Sequence, residues 1–324
     1  MLRTAIVGAG HWGRRLIETV QGRSGKIAFT AAVTRDPAAQ QPLAARYGLT
    51  LSGSYAAMLA DPSIDAVVLA TPHSQHADEI VAAAKAGKHV FVEKPFTLTR
   101  GDAERAIAAC RAAGITLLVG FNRRYAPAYV QMTRRIGVGA IGALRHVEGN
   151  FSGPPSYQTE PGNWRSNQVE SPGGGMTARG VHVLDSMVNI LGPVARVFAV
   201  SERLQHAIDV DDTTACVLRF ASGATGTLAT LHAASALYRI HVFGSQGALE
   251  MRGDTELSVF DLGGLTERLS FEATDKERAE LEAFADAVTG GVKFAIAPEH
   301  IVNVVAATEA ITASARGGKP VAID

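Results

Sequence analysis

The chain predicts an α/β protein of two domains: a doubly wound parallel sheet first, then an α/β domain with a large mixed, mostly antiparallel sheet. Three observations carry this. Its 324 residues exceed the roughly 250 to 300 at which a single core stops growing. Apolar runs alternate with helical patterns through the first third, as a parallel sheet with helices on both faces requires. After Gly120 the order changes, and strand-like runs follow one another with little helix between them.

The first domain, 1–122, opens with the strand Thr4–Val7, a helix from about Trp12 to Val20 and the strand Ala28–Val33. Further strands are predicted at Ala66–Ala70, His89–Val92 and Thr116–Gly120, separated by the Ala-rich helices Ala77–Ala86 and Asp102–Ala113. The second domain, 123–324, starts with a helix near Tyr125–Ile136, a Gly/Pro-rich loop from Gly153 to Gly175 and a helix from Met176 to Leu191. Strands then run at Val194–Val200, Thr213–Phe220, Thr225–Leu231, Tyr238–Phe243 and Leu257–Phe260, with Ser222-Gly223 as a hairpin turn. Helices at Ala279–Val288 and Glu299–Ala315 close the chain, the last expected to pack back on the first domain.

Composition narrows the function. Hydrophobic residues make up 47% and charged residues 19%, and Lys plus Arg equals Asp plus Glu at 31 each. No excess of positive charge marks a nucleic acid or an anionic membrane as partner, so a small molecule is expected. The first apolar run, Ala5–Val7, is shorter than a signal-peptide core, and no stretch of about 18 apolar residues occurs. Cys110 and Cys216 read as buried, reduced thiols, and the expected location is cytoplasmic. The histidines show no metal-ligand spacing with Cys or carboxylate partners, so no metal is predicted.

Gly8-Ala9-Gly10-His11-Trp12-Gly13 matches G-x-G-x-x-G between an apolar strand and a helix, the context in which the pattern marks a Rossmann dinucleotide site. The first glycine permits the turn, the second lets backbone approach a pyrophosphate, and the third allows close helix packing. At the end of the second strand an acidic residue would hold both ribose hydroxyls of NAD. Thr34 and Arg35 stand there instead and suit a 2′-phosphate, so NADP is preferred over NAD. Asp36 is either the displaced ribose carboxylate or a cap ahead of Pro37, the cap being favoured.

Ala70-Thr71-Pro72 with His76, then Glu93-Lys94-Pro95, then Gly173-Gly174-Gly175 with Gly180-Val181-His182 and Asp185, occur in that order. Together with Gly120-Phe121-Asn122-Arg123-Arg124 and Gly244-Ser245-Gln246-Gly247, they resemble the family of glucose-fructose oxidoreductase, inositol dehydrogenase and MocA-type enzymes, over nearly the whole chain. The resemblance implies an NAD(P)-dependent dehydrogenase or reductase acting on the CH–OH of a sugar, polyol or related small molecule. It implies that Lys94 hydrogen-bonds the reacting oxygen, that His182 is the acid/base, and that Thr71 and Pro72 lie along the nicotinamide half, with Glu93 beside them. It also implies pairing of second-domain sheets into a homodimer or homotetramer. A carboxylate usual in the family four residues before the histidine is Ala178 here, which leaves His182 to work alone or lean on Asp185.

Bland readings stand beside these. Lys94 reads otherwise as a surface lysine, His182 as a packing or substrate-orienting residue, and His76 as either a dinucleotide contact or a helix cap. Arg124, Trp164, Arg165 and Arg179 are substrate-binding candidates that together could recognise a carboxylate or phosphate. Two competing functions remain: a dinucleotide-binding regulatory protein without catalysis, and a reductase of a non-sugar ligand.

Overall fold

The computed structural model describes residues 1–155 and 160–323, so part of the Gly153–Gly175 loop lies outside the described residues. The chain divides into two compact units, 1–97 with 101–122 and 275–298, and 98–100 with 123–274 and 299–324. The chain returns to the first unit at 275–298, and the closing helix is grouped with the second.

In the first unit the order is β1 (Leu2–Val7), α1 (His11–Val20), β2 (Ile27–Val33), α2 (Gln41–Tyr47), β3 (Thr50–Ser52), α3 (Tyr55–Ala60), β4 (Ala66–Leu69), α4 (His76–Lys85), β5 (His89–Glu93), α5 (Arg100–Ala113) and β6 (Leu117–Gly120). All paired strands are parallel, in the order β3-β2-β1-β4-β5-β6. That order reverses direction between β1 and β4, and the crevice beyond the carboxyl ends of strands at such a reversal is where ligands bind in open α/β sheets. The central strands are buried end to end, so Ala66–Leu69 reads as a continuous apolar run, as a sheet covered on both faces requires. α1 buries Gly13, Leu16, Ile17 and Val20, one stripe at helical spacing, into a core with Ile6, Phe29 and Phe91. Phe284 completes this core, its ring 5.9 Å from that of Phe91. Each such ring is worth about 1.5–3 kcal/mol of burial, which fixes the returning segment in place.

In the second unit come α6 (Pro127–Gly137), β7 (Leu144–Ser152), α7 (Val181–Leu191), β8 (Val194–Glu202), β9 (Thr213–Phe220), β10 (Thr225–Leu231), β11 (Leu237–Gly244), β12 (Ala248–Arg252), β13 (Glu256–Asp261) and β14 (Gly264–Ser270). After α8 (Lys276–Thr289) of the first unit, α9 (Pro298–Gly317) and β15 (Val321–Ala322) end the chain. The sheet runs β14-β13-β12-β11-β7-β10-β9-β8-β15, antiparallel except for the β7–β10 pair. β9 and β10 pair through the expected hairpin, with Gly223 at φ +87°. Thr214, Cys216, Leu218 and Phe220 point inward while Val217 and Arg219 point out. On the inward face α7 lies so close to β7 that a Cβ on Gly149 would collide with Val183 and Met187.

Candidate active site and cofactor site

The first unit offers a cradle for a dinucleotide. Gly8 has φ +95°, and a Cβ there would lie 2.6 Å from the Ala70 carbonyl oxygen, so the turn after β1 abuts the end of β4. A Cβ on Gly13 would strike the Gly8 carbonyl, whereas one on Gly10 would meet nothing within 4 Å. Two glycines therefore serve the fold, and the third leaves open space at the N-terminus of α1. No acidic residue occupies the first turn of α1, so its unpaired amides and positive dipole end favour an anion. These features fit a pyrophosphate. His11 is exposed and Trp12 packs partly against the core.

Beyond β2, Thr34 donates its amide to the Ser52 carbonyl, and Arg35 is exposed. Asp36 Oδ1 accepts from the Ala39 amide at 3.1 Å and so closes the following turn, the capping role favoured from sequence. Arg14, which sequence reading did not single out, donates to Gln40 Oε1 at 3.0 Å and adds a second cation at this loop.

At the end of β4, Thr71 and Pro72 are half-buried, and Thr71 Oγ1 donates to Glu79 Oε2 at 2.5 Å. Burial pushes the Glu79 carboxyl up to about 7, against the lowering effect of that hydrogen bond. His76 does not cap α4 through its side chain. It is fully buried, with Nε2 3.2 Å from the Thr71 carbonyl oxygen and Nδ1 3.0 Å from that of Pro95, so it ties the β4 turn to the segment after Lys94.

Lys94 follows the last residue of β5 and is half-buried, which puts it at the carboxyl edge of the sheet. Its amide donates to Glu93 Oε2 at 3.3 Å, and Glu93 itself is buried. Beneath lies a group with no sequence signal, Glu280 of α8, fully buried, neither of whose carboxyl oxygens has a hydrogen-bond partner among the described residues. Burial first, and then the carboxylates of Glu93 and Glu277, raise Glu280 well above the ordinary carboxylate range, with Lys94 opposing. Burial thus favours the protonated form of Glu280.

The second unit carries the remaining candidates. His182 is buried near the start of α7, its ring 6.2 Å from that of Phe151. The turn before it, Met176–Gly180, is π-helical, so Ala178 does not stand in the regular helical register assumed from sequence. Asp185 gives no support of the kind considered for His182, because it is occupied elsewhere. Arg124 binds it through Nε at 2.9 Å and Nη2 at 2.7 Å, and His300 Nε2 lies 2.7 Å from the same carboxylate. This pairing engages the Arg124 guanidinium within the second unit. Arg165 stacks on Trp164, 3.8 Å above the ring, so these two candidates engage each other. Arg179 donates to the carbonyls of Leu231 at 3.2 Å and Pro154 at 2.9 Å. Among the described residues no group of three His, Cys, Asp or Glu is placed to hold a metal ion, and no helix is long and apolar enough to cross a membrane.

The parallel sheet with its glycine turn defines a Rossmann dinucleotide-binding domain. Residues 2–121 match the oxidoreductase family with NAD-binding Rossmann fold, and residues 129–250 match the GFO/IDH/MocA C-terminal domain. The NADP(+)-dependent D-xylose 1-dehydrogenase 2 of Haloferax volcanii is 30% identical over 100% of this chain and 99% of its own. Inositol 2-dehydrogenase of Rhizobium meliloti is 29% identical over 91% of each chain. The crystal structure of aldose-aldose oxidoreductase from Caulobacter crescentus, in complex with glycerol, superposes with a TM-score of 0.88, at 25% identity over 99% of both chains. The chain belongs to the GFO/IDH/MocA oxidoreductase family, as its motifs implied.

Proposed function

We propose that this oxidoreductase moves a hydride between a nicotinamide and the hydroxyl or carbonyl carbon of a sugar, polyol or related small molecule, with NADP preferred over NAD. The observation that carries the reading lies within the first unit: Lys94 stands at the carboxyl end of β5, two strands from the glycine turn after β1. At about 4.8 Å per strand that is roughly 10 Å, the reach of a dinucleotide laid along the edge of the sheet. Gly8, Gly10 and Gly13 would take the pyrophosphate, Thr34 and Arg35 the ribose end, and Thr71, Pro72 and Glu93 the nicotinamide half. Bound there, the nicotinamide supplies or accepts the hydride. The Lys94 ammonium then hydrogen-bonds the reacting oxygen and stabilises negative charge as its proton leaves. His182 is assigned that proton, an exchange suited to imidazole.

Ala178 favours a second reading, cofactor binding without turnover. Screening NADP and NAD against sugars, polyols and hydroxy acids, by absorbance of the reduced nicotinamide, separates the two. Reduction with at least one member supports catalysis, and tight cofactor binding with no turnover across the panel supports the alternative.

A homodimer or homotetramer through the nine-stranded sheet is part of this proposal. Phe198, Val200 and Val217 are 40%, 50% and 55% exposed on the face opposite α7, an apolar patch too contiguous to be indifferent to a partner. A cytoplasmic location is likewise retained. The two buried free thiols suit a reducing compartment.

A further inference from the structure

Phe151, near the end of β7, is the ring around which the chemistry of the second unit gathers. His182 faces it at 6.2 Å, Arg123 at 5.0 Å and Arg179 at 6.0 Å. The charges of the neighbouring arginines are matched. Arg123 Nη1 donates to both oxygens of Asp254, at 2.6 and 2.8 Å, and Arg124 is held by Asp185. Arg179 has no carboxylate partner among the described residues, and residues 156–159 carry no acidic side chain. Its two bonds to carbonyl oxygens use two of five N–H donors and leave the positive charge uncompensated. Burial accordingly pushes its pKa down, with nothing opposing it. A half-buried guanidinium with no carboxylate beside it leaves its planar fork open to an anion, and that fork matches a carboxylate.

We propose that the substrate is a sugar acid or similar polyhydroxy carboxylate, and that Arg179, three residues before His182, receives its carboxylate. This rests on the oxidoreductase reading of the same residues and narrows it. A neutral sugar gains only hydrogen bonds at Arg179, whereas an acid gains a charge-assisted pair and relieves the uncompensated charge.

The test compares wild type, Arg179→Lys and Arg179→Gln on D-glucuronate and D-gluconate against D-glucose and D-sorbitol. It follows both nicotinamide reduction and ligand-dependent shifts in thermal unfolding of the cofactor-loaded protein. Glutamine keeps N–H donors for the Leu231 and Pro154 carbonyls, and melting without sugar checks the fold. The acids are expected to outperform the neutral sugars in wild type. Arg179→Gln should weaken the acids by about 10- to 100-fold and collapse the preference, with lysine restoring part of it. Wild type that treats acids and neutral sugars alike, or a glutamine variant that weakens both equally, overturns the proposal. Protection by acids that depends on Arg179, without turnover of any acid or sugar, would sustain the role of Arg179 and defeat the enzymatic reading instead.

Discussion

The three glycines of the phosphate turn differ in what surrounds them, and that difference predicts separable effects of Gly8→Ala, Gly10→Ala and Gly13→Ala. At Gly8 an alanine would occupy φ +95°, at about 1–2 kcal/mol for the left-handed backbone. Its Cβ would press on Ala70 backbone atoms at 2.6 and 2.9 Å, adding about 1–3 kcal/mol of overpacking. A total of about 3 kcal/mol corresponds to a fall in Tm of roughly 6–12 °C for a cooperative unit of this size. Gly13→Ala should cost at least as much, because its Cβ collides with backbone. Gly10 is already extended, at φ −73° and ψ −163°, with open space around it. Alanine there should leave stability within about 1 kcal/mol, lower chain entropy offsetting a poorer N-cap. Its methyl group would nonetheless fill the space left for the pyrophosphate and weaken cofactor binding by about 10-fold or more. Thermal unfolding without cofactor and fluorescence titration with NADPH measure the two quantities separately. A Gly10→Ala protein that melts as low as Gly8→Ala, or that binds NADPH as tightly as wild type, would refute the reasoning.

Glu280→Gln should change stability with pH in a defined direction. Because folding raises the Glu280 pKa, its contribution is full below the unfolded value near 4.3 and is lost as pH rises through the folded pKa. Denaturant unfolding should therefore show the glutamine protein gaining on wild type as pH rises above the unfolded value near 4.3, and a difference constant with pH would count against a raised Glu280 pKa. Arg35→Ala should weaken NADPH by about 10-fold and leave NADH little changed, by the same fluorescence titration. NADH binding as tight as NADPH in wild type would instead contradict the preference. Val217→Asp places a charge in the exposed apolar patch and should reduce a dimer or tetramer to monomers in light scattering; wild type already monomeric at micromolar concentration would remove the basis for the sheet interface.

What sequence made legible was what local chemistry dictates. The apolar run before Gly8, the glycine spacing and the stripe Leu16, Ile17 and Val20 placed β1, the turn and α1 within a residue or two. β7 escaped because its outward positions, Glu148 and Asn150 among them, are polar, and because the inward Gly149 is buried for its lack of a side chain and carries no apolar signal. β14 is almost wholly exposed at the sheet edge and has no apolar pattern to read. The helices near the end were recognised as helices, but which unit each joins depends on partners such as Phe91 for Phe284, nearly two hundred residues away in the chain. The same applies to the site. Glycines and Glu-Lys-Pro form local motifs, whereas the burial of His76 and Glu280, and the capture of Asp185 by Arg124 and His300, arise only when distant segments meet.

The role of Lys94 at the reacting oxygen is tested by the kcat of Lys94→Met beside its Kd for NADPH, on whichever substrate the panel identifies. An interaction made to the reacting oxygen is lost mainly from the transition state. Turnover should fall about a hundred- to ten-thousand-fold while the Kd for NADPH changes by less than about 10-fold, with His182→Gln lowering turnover over a similar range. Turnover in Lys94→Met equal to that of wild type would contradict that role.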